Sequence, residues 1–459
     1  MAWGGGGKDE ALCGYDLGLL PTQAPPIGAP APVNRLAENF ETAAESRLGE
    51  KFLWMGIFVP YAVGYFLSYL LRNVNAVMAP ELSRSFGFSA ADLGLLTGAY
   101  LAAFALAQLP LGILLDRYGP RRVQVGLLAV AALGCAAFAL GQSLEHLILA
   151  RGIIGFGVSG CLMAAYKAFS QWFPAHRQAS LNAAIMIAGG LGALTASSPF
   201  SLLLPLVSWR WIFAGLVLVA LVAAWIVHRM PEKPVAVRHQ GMAEQLAGVK
   251  SILVSRSFWR FAPMAAMMIG GFIAIQGLWA MPWLTGVGGM SRDEAAFCLL
   301  LLNVALMVGY TAIATLLGRV LRRGWTLSRL LVAGGGASLV VSLALVLDLW
   351  PGYGLWIVLG LVSSTANLAY AHHASHYPAA LSGRANTCLN LGVFIGGFGV
   401  QWSFGIVLDA AEARGLGHSQ ALTLAWGLLL GLQVATLLWF ALAGRWSDGE
   451  SSRQTASRG

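Results

Sequence analysis

Apolar and polar positions in this chain separate into long blocks. Apolar runs of about 20 residues recur between residues 52 and 443, joined by short polar connections. A run of that length, wound as an α-helix, matches the roughly 30 Å hydrocarbon thickness of a bilayer; barrel strands would alternate over about 10 residues. The pattern predicts twelve spans, at 52–78, 91–115, 123–141, 145–168, 178–204, 209–229, 258–283, 293–317, 327–348, 353–375, 385–410 and 419–443. The connection after the sixth, Met230 to Ser257, is long, polar and basic.

The expected fold class is therefore all-α and integral to the membrane, with twelve helices in two pseudo-symmetric six-helix bundles. Residues 1–50 read as a disordered cytoplasmic tail, rich in Gly, Pro and acidic residues and without a signal-peptide run. The first bundle is expected over 51–229, a cytoplasmic linker over 230–257, the second bundle over 258–443 and a cytoplasmic tail over 444–459.

Composition agrees. The 459 residues are 57% hydrophobic and 11% charged, with mean hydropathy +0.69; soluble domains carry about 25% charged residues. The net charge of +9 does not indicate nucleic acid, because the basic residues sit between the apolar runs. With both termini inside, 23 of the 29 Lys and Arg fall in inside segments and four in outside loops. Arg72 and Arg151 lie within spans. The positive-inside rule then sets both termini in the cytoplasm of a multi-pass inner-membrane protein. Cys13, Cys135, Cys161, Cys298 and Cys388 show no metal-ligand spacing, and no metal or cofactor is expected.

One hinge stands out. Gly112-Ile-Leu-Leu-Asp116-Arg117-Tyr-Gly119-Pro-Arg121-Arg122 joins the second and third spans. Each charge would cost roughly 2.5–3.5 kcal/mol in hydrocarbon, so this is a turn at a membrane face. The halves also echo each other: Leu181-Asn182 in the fifth span returns as Leu389-Asn390 in the eleventh, 208 residues later. In such duplicated folds ligand sites lie between the halves near the midplane.

These features resemble the major facilitator superfamily across residues 50 to about 445. The hinge is similar to the family's loop motif between its second and third helices. Arg151-x-x-x-Gly155-x-Gly157 resembles its fourth-helix motif, and Trp209-Arg210-Trp211-Ile212-Phe213 its entry to the sixth helix. The resemblance, which sets the chain loosely near the bacterial nitrate/nitrite and organic-anion porters, implies alternating-access transport. It also implies that the hinge latches the halves at the cytoplasmic face when the cavity opens outward. Gly112, Asp116, Arg117, Gly119, Arg121 and Arg122 would form the gate, with Asp116 meeting the start of the eleventh span near Arg384.

Arg72 is the leading site candidate. Tyr61, Tyr65, Ser68 or Tyr69, and Arg72 share one helix face. An intramembrane arginine marks function, and its planar fork suits carboxylate, phosphate or nitrate. The alternatives are snorkelling or a pair with Glu81. Arg151 is the second cation, with a helix-linking role as its rival, while Gly155 and Gly157 read as packing positions. In the second half, Gln276, Trp279 and Trp283, then Asn303 and Tyr310, then Asn386, Asn390, Gly397 and Gln401 form polar stripes toward a cavity, with helix linking as the alternative for any single one. Nitrate porters resembling this chain carry a second-half arginine and Asn-Gly-Gly repeats. Here the eighth span has Asn303 and no arginine, so a larger organic anion is expected.

His372, His373 and His376 cluster at the inner end of the tenth span, where they read as a basic helix end rather than metal ligands. The expected partners are the bilayer, a small anionic substrate and a coupling proton or other ion, with the chain acting as a monomer. Efflux of amphipathic compounds, nitrate/nitrite transport and a non-transporting receptor stand as alternatives. No P-loop, HExxH, nucleophile elbow or carboxylate pair suggests an enzyme.

Overall fold

Residues 52–174, 177–233, 242–349 and 352–456, with Gly49, are described by a computed structural model. The rest of the tail expected over 1–50, residues 234–241 of the linker and residues 457–459 lie outside the described residues.

The spans form α1 (Val59–Phe86), entered through a π-helical turn at Trp54–Phe58, α2 (Ala90–Tyr118), α3 (Pro120–Ala139), α4 (Leu144–Trp172), α5 (Gln178–Leu203) and α6 (Trp209–His228). The second half holds α7 (Arg256–Gly286), α8 (Arg292–Arg322), α9 (Leu327–Val346), α10 (Gly354–Ala374), α11 (Ala379–Glu412) and α12 (His418–Ala443). Eleven are long and apolar enough to cross a membrane; α5 is apolar over the shorter stretch Ser180–Ala196. No strand occurs among the described residues. The chain is a multi-pass, all-helical membrane protein.

Local chemistry sets the helix ends. Ser89 with Asp92, and Ser291 with Glu294, form capping boxes that start α2 and α8. The hinge depends on Gly119, whose φ of 82° disfavours any residue with a β-carbon, followed by Pro120 opening α3.

Several boundaries differ from expectation. α1 runs eight residues beyond the predicted 78, through Pro80, and stops at Gly87 with φ 70°. Its last two turns are polar, so hydropathy alone misses them. The linker, read as a plain connection, folds into a helix over Met242–Leu253. α7 carries two π-helical turns, Ala266–Gly270 and Ile275–Trp279. α10 tightens to a 3-10 turn at Ser364–Asn367.

We call the side carrying Gly112–Arg122 the hinge face and the other the far face. The two halves touch unevenly between them. Toward the far face, Ala79, Ala90 and Leu93 of the first half pack into the core of α7, α8, α11 and α12. At mid-depth Phe394 of α11 joins the first half's core. Toward the hinge face the second-half core around Phe258, Phe261 and Phe440 includes no described residue of α1–α6. The cores of the halves thus interlock at the far face and at mid-depth, and among the described residues they do not join toward the hinge face.

Glycines permit the far closure. A β-carbon on Gly94 of α2 would come within 2.5 Å of the Gln401 carbonyl oxygen, and one on Gly98 within 2.8 Å of the Phe398 ring. Gly155 and Gly157 pack α4 onto the backbones of Tyr100 and Ala131, as their packing role requires.

Candidate functional site

Arg72 sits in the middle of α1, level with the midpoints of α2 and α11. Three aromatic faces box its guanidinium: Tyr69 at 4.6 Å, Phe394 at 5.2 Å and Phe104 at 5.3 Å. Phe394 comes from the opposite half and packs on Phe104 with ring centroids 4.3 Å apart. The Tyr100 hydroxyl donates to the Ser68 carbonyl at 3.1 Å. The Arg72 Nε–H has no acceptor. Glu81 instead approaches Arg84, at 4.0 Å. Arg72 therefore neither snorkels nor pairs with that acid. Cation–π contacts offset part of its desolvation, roughly 2 kcal/mol for a desolvated pair, but they leave the charge uncompensated.

Tyr65 and Tyr69 flank the approach, with ring centroids 5.0 Å apart. A β-carbon at Gly189 of α5 would meet the Tyr65 ring at 2.6 Å, so this glycine makes room for both rings. The Tyr65 hydroxyl points at Met186 Sδ, 3.7 Å away.

Arg151 lies on the other side of Tyr100, with its guanidinium 5.1 Å from that ring. It is fully buried and donates from Nη1 to the Leu71 carbonyl at 2.9 Å. Its Nε and Nη2 have no acceptor. Among the described residues no carboxylate pairs with either arginine. Arg151 thus braces the α1 backbone one residue before Arg72, and Tyr100 separates the two cations.

The second half supplies neutral groups already paired with one another. Gln276 Nε2 donates to Asn303 Oδ1 at 2.7 Å, and Asn303 Nδ2 donates to the Leu299 carbonyl at 2.7 Å. Tyr370 donates to Asn390 Oδ1 at 2.7 Å, and Asn367 Nδ2 donates to the Tyr310 hydroxyl at 3.0 Å. Tyr310, Asn367, Tyr370 and Asn390 are half-buried. The Asn386 Oδ1 is buried without a donor. Trp279 turns away from this region: its Nε1 donates to the Gln401 carbonyl at 3.2 Å and its ring stacks on Phe404. The π turn at Ile275–Trp279 separates Gln276 from Trp279, although straight helical spacing would put them on one stripe.

A small cavity lies beside Arg72 on the far side. Arg72, Thr97, Tyr100 and Leu101 line it from the first half; Ile273, Gly277 and Gln401 line it from the second. Gln401 is fully buried and neither amide atom has a partner.

The hinge residues are engaged within their own half. Asp116 pairs with Lys167 of α4. Arg121 donates to Glu232 at 2.9 Å and to the Met230 carbonyl at 2.9 Å, while Arg122 reaches the same carboxylate at 3.2 Å. Arg117 stacks near Tyr118. Gly112 has open space around it. Arg384 lies against Gly248 of the linker helix, on the second half. In this far-closed state Asp116 is therefore held by Lys167, a partner the sequence reading did not name. The histidines are hydrogen-bonded individually, His372 to Ser328 at 2.6 Å, His373 to Tyr377 at 3.2 Å and His376 to the His372 carbonyl at 2.8 Å.

The structure thus brings together Arg72, Tyr69 and Tyr65 in the first half, pairs Tyr370 with Asn390 in the second, and sets Arg151 and Trp279 in helix seams. Tyr100, Phe104, Phe394 and Lys167 were absent from the sequence-level site, whereas Gln401 belongs to the predicted stripe of the eleventh span. Tyr100 and Phe104 stand four residues apart on one face of α2. That spacing was a usable signal, but aromatic positions in an apolar run look like core.

The sequence model described as the Major Facilitator Superfamily matches residues 61–400. The hexuronate transporter of Escherichia coli K12 is 27% identical over 217 residues, 44% of this chain and 50% of that protein. The galacturonate transporter of Dickeya chrysanthemi is 27% identical over 224 residues, 44% of this chain and 63% of that protein. The chain thus spans about half the length of the first of these relatives. The crystal structure of a D-xylose-proton symporter superposes with TM-score 0.67 at 16% identity, over 83% of this chain and 96% of that one; this likeness concerns the fold.

Proposed function

The chain belongs to the Major Facilitator Superfamily, a family of transporters rather than enzymes, and on that premise we propose that it is a secondary transporter for a small organic anion. The observation that carries this reading is Arg72. It is a mid-membrane guanidinium with no carboxylate partner among the described residues, boxed by aromatic rings from both halves. A carboxylate reaching it supplies the missing counter-charge in a low dielectric, where a charge-assisted hydrogen bond is about twice as strong as a neutral one.

The facing wall narrows the substrate. Tyr310, Tyr370, Asn367 and Asn390 present hydroxyl and amide groups that can exchange their mutual bonds for bonds to substrate hydroxyls. A hydroxylated monocarboxylate fits both walls, and the transporters of hexuronate and galacturonate among its relatives support that class. Nitrate has no use for the second wall.

The Lys and Arg distribution supports a hinge face in the cytoplasm of an inner membrane, with both termini on that side. The far-closed arrangement is then the inward-facing state of an alternating-access cycle. In that cycle the hinge residues act as the cytoplasmic gate, and Asp116 exchanges Lys167 for the start of α11 near Arg384.

The test is a thermal-shift screen of the purified protein against hydroxylated and plain monocarboxylates, followed by uptake of each hit into liposomes. A bound ligand stabilises by RT ln(1 + [L]/Kd). Arg72→Ala and Arg72→Lys should lose both the shift and the uptake. Wild-type affinity in Arg72→Ala would overturn the assignment.

A further inference from the structure

The far seam contains a contact between the halves that the transport reading does not use. α2 and α11 run antiparallel and cross at mid-depth, where Leu101 meets Gly397 and Phe104 meets Phe394. Each helix therefore begins at the face where the other ends. At the far face the Asp409 carboxylate of α11 accepts from both first-turn amides of α2. Ala90 N–H donates to Oδ1 at 3.0 Å and Ala91 N–H to Oδ2 at 2.8 Å. The next donors are satisfied locally, Asp92 N–H by Ser89 Oγ and Leu93 N–H by the Ser89 carbonyl. Asp409 thus completes a cap whose last two acceptors come from the opposite half.

We propose that Asp409 is the far-face latch of the transport cycle, a carboxylate that holds the far gate shut by capping α2 across the halves. This rests on the alternating-access reading given above. The geometry suits a switch. Two charge-assisted bonds form together at the positive end of a helix dipole, and both are lost together once the seam parts. Gly405, one turn before Asp409, lets the backbones meet; a β-carbon there would collide with the Ala90 carbonyl and the Ala91 backbone. Among the described residues Asp409 has no basic side chain as an ion-pair partner, so opening the gate returns the carboxylate and the two amides to water. The arrangement mirrors the hinge face. There Asp116, at the end of α2, is held by Lys167 within its own half while the halves are parted.

The experiment measures populations without any substrate. Spin-label pairs are introduced into the full chain in nanodiscs, in a Cys13→Ser background; Cys135, Cys161, Cys298 and Cys388 are buried. One pair, Ser85→Cys with Ala413→Cys, spans the far face. The other, Ser170→Cys with Arg323→Cys, spans the hinge face. Electron–electron resonance should show mainly the short far-face distance in the parent. Asp409→Asn should raise the long far-face population roughly tenfold and shorten the hinge-face distance in step, consistent with the loss of charged hydrogen bonds. Asp409→Glu should restore most of the short distance. Gly405→Val, which wedges the seam, is the positive control. If Gly405→Val opens the far face and Asp409→Asn leaves both distributions unchanged, the latch is refuted and the transport cycle stands. If neither variant moves either distance, the alternating-access reading fails with it. If Asp409→Asn lowers only the melting temperature, Asp409 is a helix cap and no latch.

Discussion

The two halves handle buried polarity in opposite ways. The first half holds two guanidiniums within the membrane, half-buried Arg72 and fully buried Arg151, with N–H groups left unsatisfied and no carboxylate among the described residues to neutralise them. The second half carries neutral amides and phenols, most of which pair with one another, Gln276 with Asn303, Tyr370 with Asn390 and Asn367 with Tyr310, while amide atoms of Asn386 and Gln401 stay unpaired. An uncompensated cation in a low-dielectric interior is costly to keep. A closed amide–phenol pair costs little. The difference teaches where an anion would gain most: the first half supplies charge, and the second supplies exchangeable hydrogen bonds that tune the fit.

Four experiments test that division. The largest effect belongs to Arg72→Ala, which should weaken anion binding at least about a hundredfold, roughly 2.8 kcal/mol at 1.4 kcal/mol per decade; isothermal titration reads it. Tyr370→Phe removes one donor from the second wall and should cost about five- to tenfold for a hydroxylated acid, near the net worth of one hydrogen bond. It should cost nothing for the same acid lacking hydroxyls. Equal losses for both acids would mean the second half contributes shape alone. Gln276→Leu with Asn303→Leu, run as a thermal-denaturation double-mutant cycle, should give a coupling near 0.6 kcal/mol, the average for buried polar pairs between membrane helices. The smallest effect belongs to Arg151→Met. It should keep anion binding within about threefold and hold or raise the melting temperature, since apolar replacement of a buried ion is often neutral or stabilising. Folded Arg151→Met protein that no longer binds anions would show that both first-half cations serve the ligand.

The spans and the hinge were legible in the sequence because hydrocarbon thickness and charge exclusion act locally. The position of Arg72 was legible for the same reason. Its aromatic box was not, since Phe104 and Phe394 lie 290 residues apart in the chain and no local period joins them. The extension of α1 past Pro80 was missed because its polar last turns leave the apolar run. The linker helix was missed because its sequence has the polarity of a surface connection. Lys167 escaped notice as the partner of Asp116 because a basic residue at a helix end reads as topology. The departure of Trp279 from the Gln276 stripe has the same origin as the π turn that separates them.

Those turns in α7 bear on how the chain tolerates gain and loss of residues. A π turn closes its hydrogen bond one residue later than an α turn, so it accommodates one extra residue without displacing the helix ends. Ala266–Gly270 and Ile275–Trp279 are places where α7 behaves as though residues had been spliced in. A single deletion inside an ordinary bundle helix rotates everything beyond it by about 100°. Deleting Leu278 would instead convert the second turn to α geometry and leave Trp283 and the far end in register.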